Sequence, residues 1–197
     1  MSIDRRKLIV EAAAKSFSLF GYKATTMDQV AKLANVGKGT IYTFFANKEE
    51  LFDEILRDLI MEMKHAAEEV YVEGRPFFEN LQTVLYNLHD LRSRHELVLK
   101  LSHEVRDMGT PMAQEAIMKL EHHVISYIER KVQIAIDRKE IKPCNPQITA
   151  FMMVKMYLAL ATDWGKYHPP LDKQAIADLF QLYLRDGIQA DGMVEKG

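Results

Sequence analysis

Apolar residues recur at the three- to four-residue spacing of an α-helix along almost the whole 197-residue chain. No stretch alternates apolar and polar residues with the two-residue period of a β-strand, and helix formers such as Leu, Ala, Glu and Lys dominate. Breaks rich in Gly, Pro and Asn divide the pattern into about nine helices, which predicts an all-α fold. The predicted helices cover residues 4–20, 26–34, 38–44, 48–72, 77–92, 96–107, 112–139, 147–167 and 172–189.

Composition favours a globular protein, because hydrophobic residues make up 48% of the chain and charged residues 27%. The most apolar stretch, residues 150–161, contains Lys155 and is too short for a membrane span of about 20 residues, so it predicts a buried helix. The charged N-terminus has no apolar segment of signal-peptide length. The single cysteine, Cys144, cannot form an intrachain disulfide, which favours a reducing compartment. We therefore expect a cytoplasmic protein with no membrane partner.

Charge is unevenly distributed, although the net charge of the chain is only −2. Residues 1–48 contain eight basic and three acidic side chains and so carry +5, which leaves −7 on the remaining residues. A basic N-terminal segment followed by an acidic remainder predicts that only the N-terminal segment meets a polyanion such as DNA.

Three short helices fall within the first 45 residues, and a tight turn that contains glycine joins the last two. Thr26 and Gln29 have the spacing of a capping box, which predicts where the second helix begins. The turn Asn35-Val36-Gly37 then precedes a third helix over residues 38–44. This order predicts a helix-turn-helix over about residues 26–45, whose last helix enters a DNA major groove about 12 Å wide.

The apolar residues of these helices predict which faces are buried. In the first helix, the predicted buried face consists of Leu8, Ala12, Ala13, Phe17 and Phe20, and Gly21 ends the helix. In the third helix, the predicted anchors are Ile41, Phe44 and Phe45.

The residues that remain on the third helix are left for DNA. Gly39 lacks a side chain, so its backbone can approach a base or a phosphate closely. Thr26 and Lys48 begin the neighbouring helices, where free backbone N–H groups can bind phosphates. The predicted DNA-binding residues are Thr26, Lys38, Gly39, Thr40, Tyr42, Thr43 and Lys48.

Over residues 3–63 the sequence resembles the TetR family of transcriptional regulators, through the runs ATTMDQVA (24–31), VGKGTIYTFF (36–45) and NKEEL (47–51). The resemblance implies a homodimeric, all-helical regulator, usually a repressor that a small ligand releases from its operator. It further implies that residues 3–63 form the DNA-binding domain and that residues 64–197 bind the effector and form the dimer. Gly37 departs from the serine common at this position in the family, whose hydroxyl would cap the recognition helix.

The C-terminal helices suggest a dimer seam. The ninth helix has apolar residues on two faces, at Ile176, Leu179, Phe180 and Tyr183 and at Ala175, Leu182 and Ile188. The eighth helix is apolar nearly all round. One face for the core and one for a partner predicts a homodimer through the last two helices. The alternative is that both faces belong to the core of a monomer.

The body of the chain contains many of the eleven methionines, whose flexible side chains suit an adaptable apolar pocket as well as ordinary core filling. A cavity between helices is where a small apolar effector would bind. The candidate effector-binding residues are His89, His103, Met108, Tyr127, Met153 and Trp164. No metal or cofactor is predicted, because His103 and Asp107 lie four residues apart but lack a third ligand.

The leading functional hypothesis is thus a repressor that binds double-stranded operator DNA and that a small apolar effector releases. The alternative is an activator or an architectural DNA-binding protein without ligand control. An enzyme is not predicted, because the chain has no GxSxG motif, phosphate-binding loop, dinucleotide fingerprint or zinc-binding helix motif.

Overall fold

The computed structural model describes residues 4–90 and 92–188, without the side chains of residues 88–90 and 92–95. The described residues form helices and no strand, so the predicted all-α fold is confirmed. The helices are α1 (Arg5–Ala24), α2 (Met27–Leu33), α3 (Lys38–Phe44), α4 (Lys48–Val70), α5 (Phe77–Asp90), α6 (Arg92–Met108), α7 (Pro111–Asp137), α8 (Pro146–Leu158) and α9 (Lys173–Phe180). None of these described helices is long and apolar enough to cross a membrane.

The ends of α8 and α9 differ from the prediction, because both helices change their winding instead of continuing as α-helix. After α8 the chain forms a π-helical turn over Ala159–Asp163 and a 3-10 turn over Trp164–Lys166, and after α9 a π-helical turn over Gln181–Asp186. The Thr162 hydroxyl donates a hydrogen bond to the carbonyl oxygen of Leu158 at 2.6 Å. A hydroxyl at this oxygen competes with the backbone amide that would continue the α-helix, which favours a wider turn.

The helices form two compact units. The first comprises the described residues up to His65 together with α6 and α7 as far as Val124. The second comprises the described residues of Ala66–Asp90 and those from Ile125 onward. The predicted division at residues 63/64 remains a prediction.

The core of the first unit gathers around three aromatic side chains. The Phe17 ring meets the Phe52 ring edge to face at 5.0 Å, and the Tyr22 ring lies 4.9 Å from that of Phe52. Ala12, Ala13 and Phe17 are buried as predicted, but Leu8 and Phe20 are 38% and 51% exposed. Their predicted burial was wrong because the buried stripe of α1 runs through Ile9, Ala13 and Phe17, each four residues from the next.

The second unit has its own core, formed by α5, the last part of α7, α8 and α9. Its buried side chains are Phe77, Leu85, Val132, Ala135, Met153, Ile176 and Phe180. Asn80 closes the turn before α5, since its side-chain amide donates to the carbonyl oxygens of Val72 and Arg75 and its Oδ1 accepts from the Val72 amide. A buried amide with several partners fixes a turn at little energetic cost.

Candidate nucleic-acid interface

The start of α2 is fixed by a reciprocal cap. The Gln29 amide donates to Thr26 Oγ1 at 3.3 Å, and the Thr26 amide donates to Gln29 Oε1 at 2.9 Å. The capping box predicted from the sequence is therefore confirmed. It satisfies two backbone N–H groups at the first turn of α2.

The turn between α2 and α3 lies where the sequence predicts it. Asn35 adopts a φ of 53°, a left-handed conformation that asparagine tolerates better than most residues. The Val36 amide then donates to the carbonyl oxygen of Ala31 at 3.0 Å. Gly37 precedes α3 without any side-chain cap, so the first amides of α3 have no side-chain acceptor there.

The recognition helix α3 is held by one face. Ile41 is fully buried and Phe45 is only 2% exposed, as predicted. The guanidinium of Arg6 lies 5.3 Å from the centre of the Phe45 ring and covers it from α1. Phe44, however, is 39% exposed, so its predicted anchoring was wrong. Phe45 follows α3 with an extended backbone and is buried, as Ile41 is, whereas Phe44, the last residue of the helix, is partly exposed.

The opposite face of α3 is open. Lys38, Gly39, Tyr42 and Thr43 are exposed, and Thr40 is half-buried. The Thr43 hydroxyl donates to the carbonyl oxygen of Thr40 at 2.6 Å, which sets its rotamer. These residues were predicted to face DNA, and the structure brings them onto one helix surface.

Lys38 already has an anionic partner. Its Nζ lies 3.0 Å from Asp28 Oδ1 and donates to Asp28 Oδ2 at 3.1 Å. The hydrogen bond and the charge of Asp28 raise the pKa of Lys38, so the ammonium stays protonated. Exposed ion pairs of this kind contribute little to stability because water screens them, so a DNA phosphate can compete with Asp28 for Lys38.

No contact within the described part of the protein requires glycine at position 39. A Cβ atom added at this position would have no atom within 4 Å. Glycine near the start of a helix is less favourable than alanine. The open space above Gly39 is therefore available to something that approaches the helix from outside.

Lys48 has a different environment from the one that its predicted phosphate contact assumes. Its Nζ donates to the carbonyl oxygens of Tyr22 at 2.9 Å and of Thr25 at 3.0 Å. The same ammonium lies 4.2 Å from the centre of the Tyr22 ring. These contacts fix the beginning of α4 on the turn between α1 and α2. The contact of Lys48 with phosphate remains a prediction, and its backbone N–H at the start of α4 is the group that suits it.

A second bond joins the same two segments. The Tyr22 hydroxyl donates to Glu49 Oε1 at 2.6 Å. This hydrogen bond lowers the pKa of Glu49, while burial and then the same bond raise the pKa of Tyr22. Sequence reasoning missed Tyr22 and Glu49, because the two residues are 27 positions apart and no local pattern links them.

Comparison with known proteins shows the family to which the chain belongs. Residues 9–55, which include all of α2 and α3, match the model of the bacterial regulatory proteins of the tetR family. The uncharacterized HTH-type transcriptional regulator YhgD of Bacillus subtilis (strain 168) is 55% identical over 191 residues, which cover 97% of this chain and 100% of YhgD. The chain belongs to the TetR family. It is therefore a DNA-binding transcriptional regulator with a helix-turn-helix, as the sequence predicts.

One further relative of this TetR-family regulator and one solved structure of similar fold extend the comparison. The probable acrEF/envCD operon repressor of Escherichia coli (strain K12) is 28% identical over 126 residues, which cover 60% of this chain and 56% of that protein. The structure of the transcriptional regulator FadR from Bacillus subtilis in complex with stearoyl-CoA has a TM-score of 0.76. FadR is 22% identical, and the match covers 93% of this chain and 100% of FadR, which shows a shared fold.

The candidate effector residues of this TetR-family regulator fall into different environments. His103 and Met108 are exposed on α6 in the first unit, and the side chain of His89 lies outside the described residues. In the second unit, Met153 is 4% exposed, whereas Trp164 is 42% exposed and stacks on His168 with ring centres 4.0 Å apart. Their binding of an effector remains a prediction. Within the described part of the chain, no three His, Cys, Asp or Glu side chains could hold a metal ion together.

Tyr127 stands out among these candidates. Its hydroxyl is buried and, among the described residues, has no hydrogen-bond partner. Burial, and then the Glu68 carboxylate through its charge and as a distant acceptor, raise the pKa of Tyr127, so the hydroxyl remains a proton donor. The Lys131 ammonium lies 3.7 Å from the centre of the Tyr71 ring, 5.3 Å from that of Tyr127 and 3.5 Å from Glu68 Oε2. Glu68 is near enough to influence this hydroxyl but does not form a close hydrogen bond with it, so an incoming acceptor could accept its hydrogen bond.

The last helices expose apolar side chains. On α8, Ile148, Phe151 and Met152 are 48–57% exposed, and after α9 Leu182 and Tyr183 are 43% and 52% exposed. The other sides of these helices bury Met153, Ile176 and Phe180 in the core of the second unit. A core face and an outer face are therefore present in the second unit, but Tyr183, predicted to share a face with Ile176 and Phe180, is exposed with Leu182. The homodimer itself remains a prediction.

Proposed function

We propose that the protein is a repressor that binds operator DNA as a homodimer and that a small apolar effector releases it. The observation that carries the DNA contact is the open face of α3, which presents Lys38, Gly39, Tyr42 and Thr43 while Ile41 and Phe45 hold the helix from behind. A helix anchored on one side and polar on the other suits insertion into a major groove.

Each residue of the open face has its own contact in this proposal. Lys38 exchanges Asp28 for a base edge or a phosphate, and the backbone at Gly39 lies close to a base. Tyr42, Thr43 and Thr40 bind the phosphate backbone. At the starts of α2 and α4, Thr26 and the backbone amide of Lys48 also bind the phosphate backbone.

Dimer formation is supported by the exposed apolar residues of α8 and of the segment after α9. Pairing these faces around a two-fold axis removes their apolar surface from water, which is the main driving force for such interfaces. A dimer carries two copies of α3, which reach successive major grooves when they are about 34–36 Å apart. A small change in that distance is enough to release the operator.

Repression and release draw support from two relatives. The Escherichia coli relative is described as an operon repressor, and FadR, of the same fold, was solved with stearoyl-CoA. The unsatisfied Tyr127 hydroxyl in the second unit offers a hydrogen bond to a carbonyl or phosphate oxygen of an otherwise apolar effector. A regulator of this kind acts where the DNA is, in the cytoplasm.

A DNA-release assay tests this function. Duplexes are selected with the wild-type protein from a random pool, and the best one is titrated with fatty acids of increasing chain length and with their CoA thioesters. We expect release by at least one chain length. We also expect Tyr127→Phe to bind DNA as the wild type does but to need more ligand for release. Retention of the DNA at every chain length would contradict an acyl effector. Retention across a wider panel of apolar molecules as well would favour the alternative, a DNA-binding protein without ligand control.

A further inference from the structure

The first unit contains a buried carboxylate that DNA binding by α3 does not explain. Glu104 on α6 is only 6% exposed, although a carboxylate is costly to bury without partners. Its Oε1 accepts a hydrogen bond from the backbone amide of Lys23 at 2.9 Å. The two residues are 81 positions apart, and this bond ties α6 to the turn between α1 and α2.

The backbone of α1 is shaped to receive this carboxylate. Gly21 interrupts α1 with a φ of 83°, a conformation that side chains rarely adopt. A Cβ atom at Gly21 would lie 2.3 Å from Glu104 Oε2, so any larger residue would displace the carboxylate. The backbone conformation at residue 21 favours glycine, and the absence of a side chain there leaves room for the Glu104 carboxylate.

The turn that Glu104 holds is connected to both helices that flank the recognition helix. The Thr25 hydroxyl donates to the carbonyl oxygen of Gly21 at 2.8 Å, and the next residue, Thr26, caps α2. Lys48, at the start of α4, donates to the carbonyl oxygens of Tyr22 and Thr25 in the same turn. A displacement at Lys23 would therefore reach the beginnings of α2 and α4 together.

We propose that Glu104 is a positioning residue through which α6 sets the turn at residues 21–26 and thereby the orientation of α2 and α3 on DNA. If α6 moves away, the Lys23 amide and the Glu104 carboxylate each lose a hydrogen-bond partner, which is energetically costly. The turn is therefore expected to move with α6. The inference rests on the proposed binding of DNA through α3 and does not depend on which effector moves α6.

Two variants of Glu104 and one control on the same helix test the proposal. Glu104→Ala removes the acceptor, while Glu104→Gln keeps an amide oxygen of similar position. The control is Ser102→Ala, since the exposed Ser102 hydroxyl, within the described part of the chain, donates to the carbonyl oxygen of Val98 in its own helix. Each protein is measured for hydrogen–deuterium exchange at the Lys23 amide and for affinity to the duplex that the wild type selects.

In Glu104→Ala we expect the Lys23 amide to exchange about tenfold faster and the DNA affinity to fall about tenfold, as the loss of one charged hydrogen bond allows. Exchange at Ala13 and Phe17, in the middle of α1, should stay at the wild-type rate, which a general loss of folding would not permit. Glu104→Gln should restore affinity to within about threefold of the wild type.

Three results would overturn the proposal. The first is a wild-type DNA affinity of Glu104→Ala although its Lys23 amide exchanges fast. The second is a wild-type exchange rate at Lys23 in Glu104→Ala. The third is an equal loss of DNA affinity in Glu104→Ala and Glu104→Gln. If the wild-type protein enriches no duplex at all, DNA binding through α3 fails and the inference fails with it, whatever the exchange at Lys23 shows.

Discussion

The Nζ atom of Lys48 lies 2.9 Å from the carbonyl oxygen of Tyr22 and 4.2 Å from the centre of the Tyr22 ring. With a third contact to the carbonyl oxygen of Thr25, the ammonium is occupied by the protein itself. The first turn of α4 is thus fastened to the turn that precedes the helix-turn-helix. Lys48 stabilises the DNA-binding unit whether or not its backbone amide also meets a phosphate.

Replacing Lys48 by methionine should destabilise the protein. Lys48→Met keeps the length of the side chain but leaves two carbonyl oxygens without their charged donor, and such hydrogen bonds contribute about 1.5–3 kcal/mol. The free energy of unfolding, measured in urea without DNA, should fall by about 1.5–3 kcal/mol. Lys32→Met, at an exposed position of α2, is the matched control and should change it by less than about 0.5 kcal/mol. Equal effects of the two substitutions would show that the Lys48 contacts contribute nothing.

Replacing Gly39 by alanine should separate folding from DNA binding. The added Cβ atom has no neighbour within 4 Å, and alanine favours helix by up to about 1 kcal/mol over glycine. The free energy of unfolding should therefore rise or stay level, while the affinity for DNA falls at least about tenfold, because the methyl group occupies the space where a base edge approaches. Fluorescence anisotropy with the selected duplex measures the affinity. Wild-type affinity in Gly39→Ala would rule out a close approach at this residue.

Gly37→Ser should stabilise α3. Gly37 precedes the helix with φ −66° and ψ 149°, which serine adopts readily, and no side chain caps the helix there. A serine hydroxyl can accept from an amide of the first turn, and serine in place of glycine at this position is worth a few tenths of a kcal/mol, about 0.3. Thermal melting of both proteins should show a slightly higher midpoint in the variant. A lower midpoint would mean that the first turn of α3 is not open to a cap.

Tyr22→Phe should change how stability depends on pH. The Tyr22 hydroxyl lowers the pKa of Glu49 below its ordinary value of 4.5 in the folded protein. A group with a lowered pKa stabilises the fold above its unfolded pKa, and this contribution disappears as the pH falls through the folded pKa. The wild type should therefore exceed Tyr22→Phe in free energy of unfolding at pH 7, and the difference should shrink below about pH 4.5. Urea titrations at several pH values measure this difference in free energy of unfolding. A difference that stays constant down to about pH 2.5 would contradict the hydrogen bond between Tyr22 and Glu49.

The local features of the DNA-binding unit could be predicted from the sequence. The capping box of Thr26 and Gln29 and the bounds of α3 depend on residues within a few positions of one another. The positions of Lys48 and Glu104 could not be predicted in this way. Their partners, Tyr22 and Lys23, lie 26 and 81 residues away, and only the packed fold brings them together.

Some sequence-based expectations failed for equally physical reasons. Apolar character alone does not decide which side of a short helix is buried, so Phe44 and Phe20 were assigned to the core although each lies partly in solvent. The hydroxyl of Thr162 competes for a backbone carbonyl and changes the winding after α8, which helix periodicity does not reveal. An unsatisfied hydroxyl such as that of Tyr127 becomes apparent only when every surrounding group is in place.

The binding of DNA by the open face of α3 is tested most directly by comparing Tyr42→Ala with Tyr167→Ala. Both tyrosines are exposed, by 46% and 86%, but only Tyr42 lies on α3. Affinity for the selected duplex is measured over a series of salt concentrations. Tyr42→Ala should lose about 1–3 kcal/mol of binding free energy, and Lys38→Ala should lose a similar amount. If Lys38 contacts a phosphate, the slope of log affinity against log salt concentration should also fall by about 1 in Lys38→Ala. Tyr167→Ala should bind as the wild type does. Wild-type affinity in both Tyr42→Ala and Lys38→Ala would contradict the assignment of α3 as the DNA-binding surface.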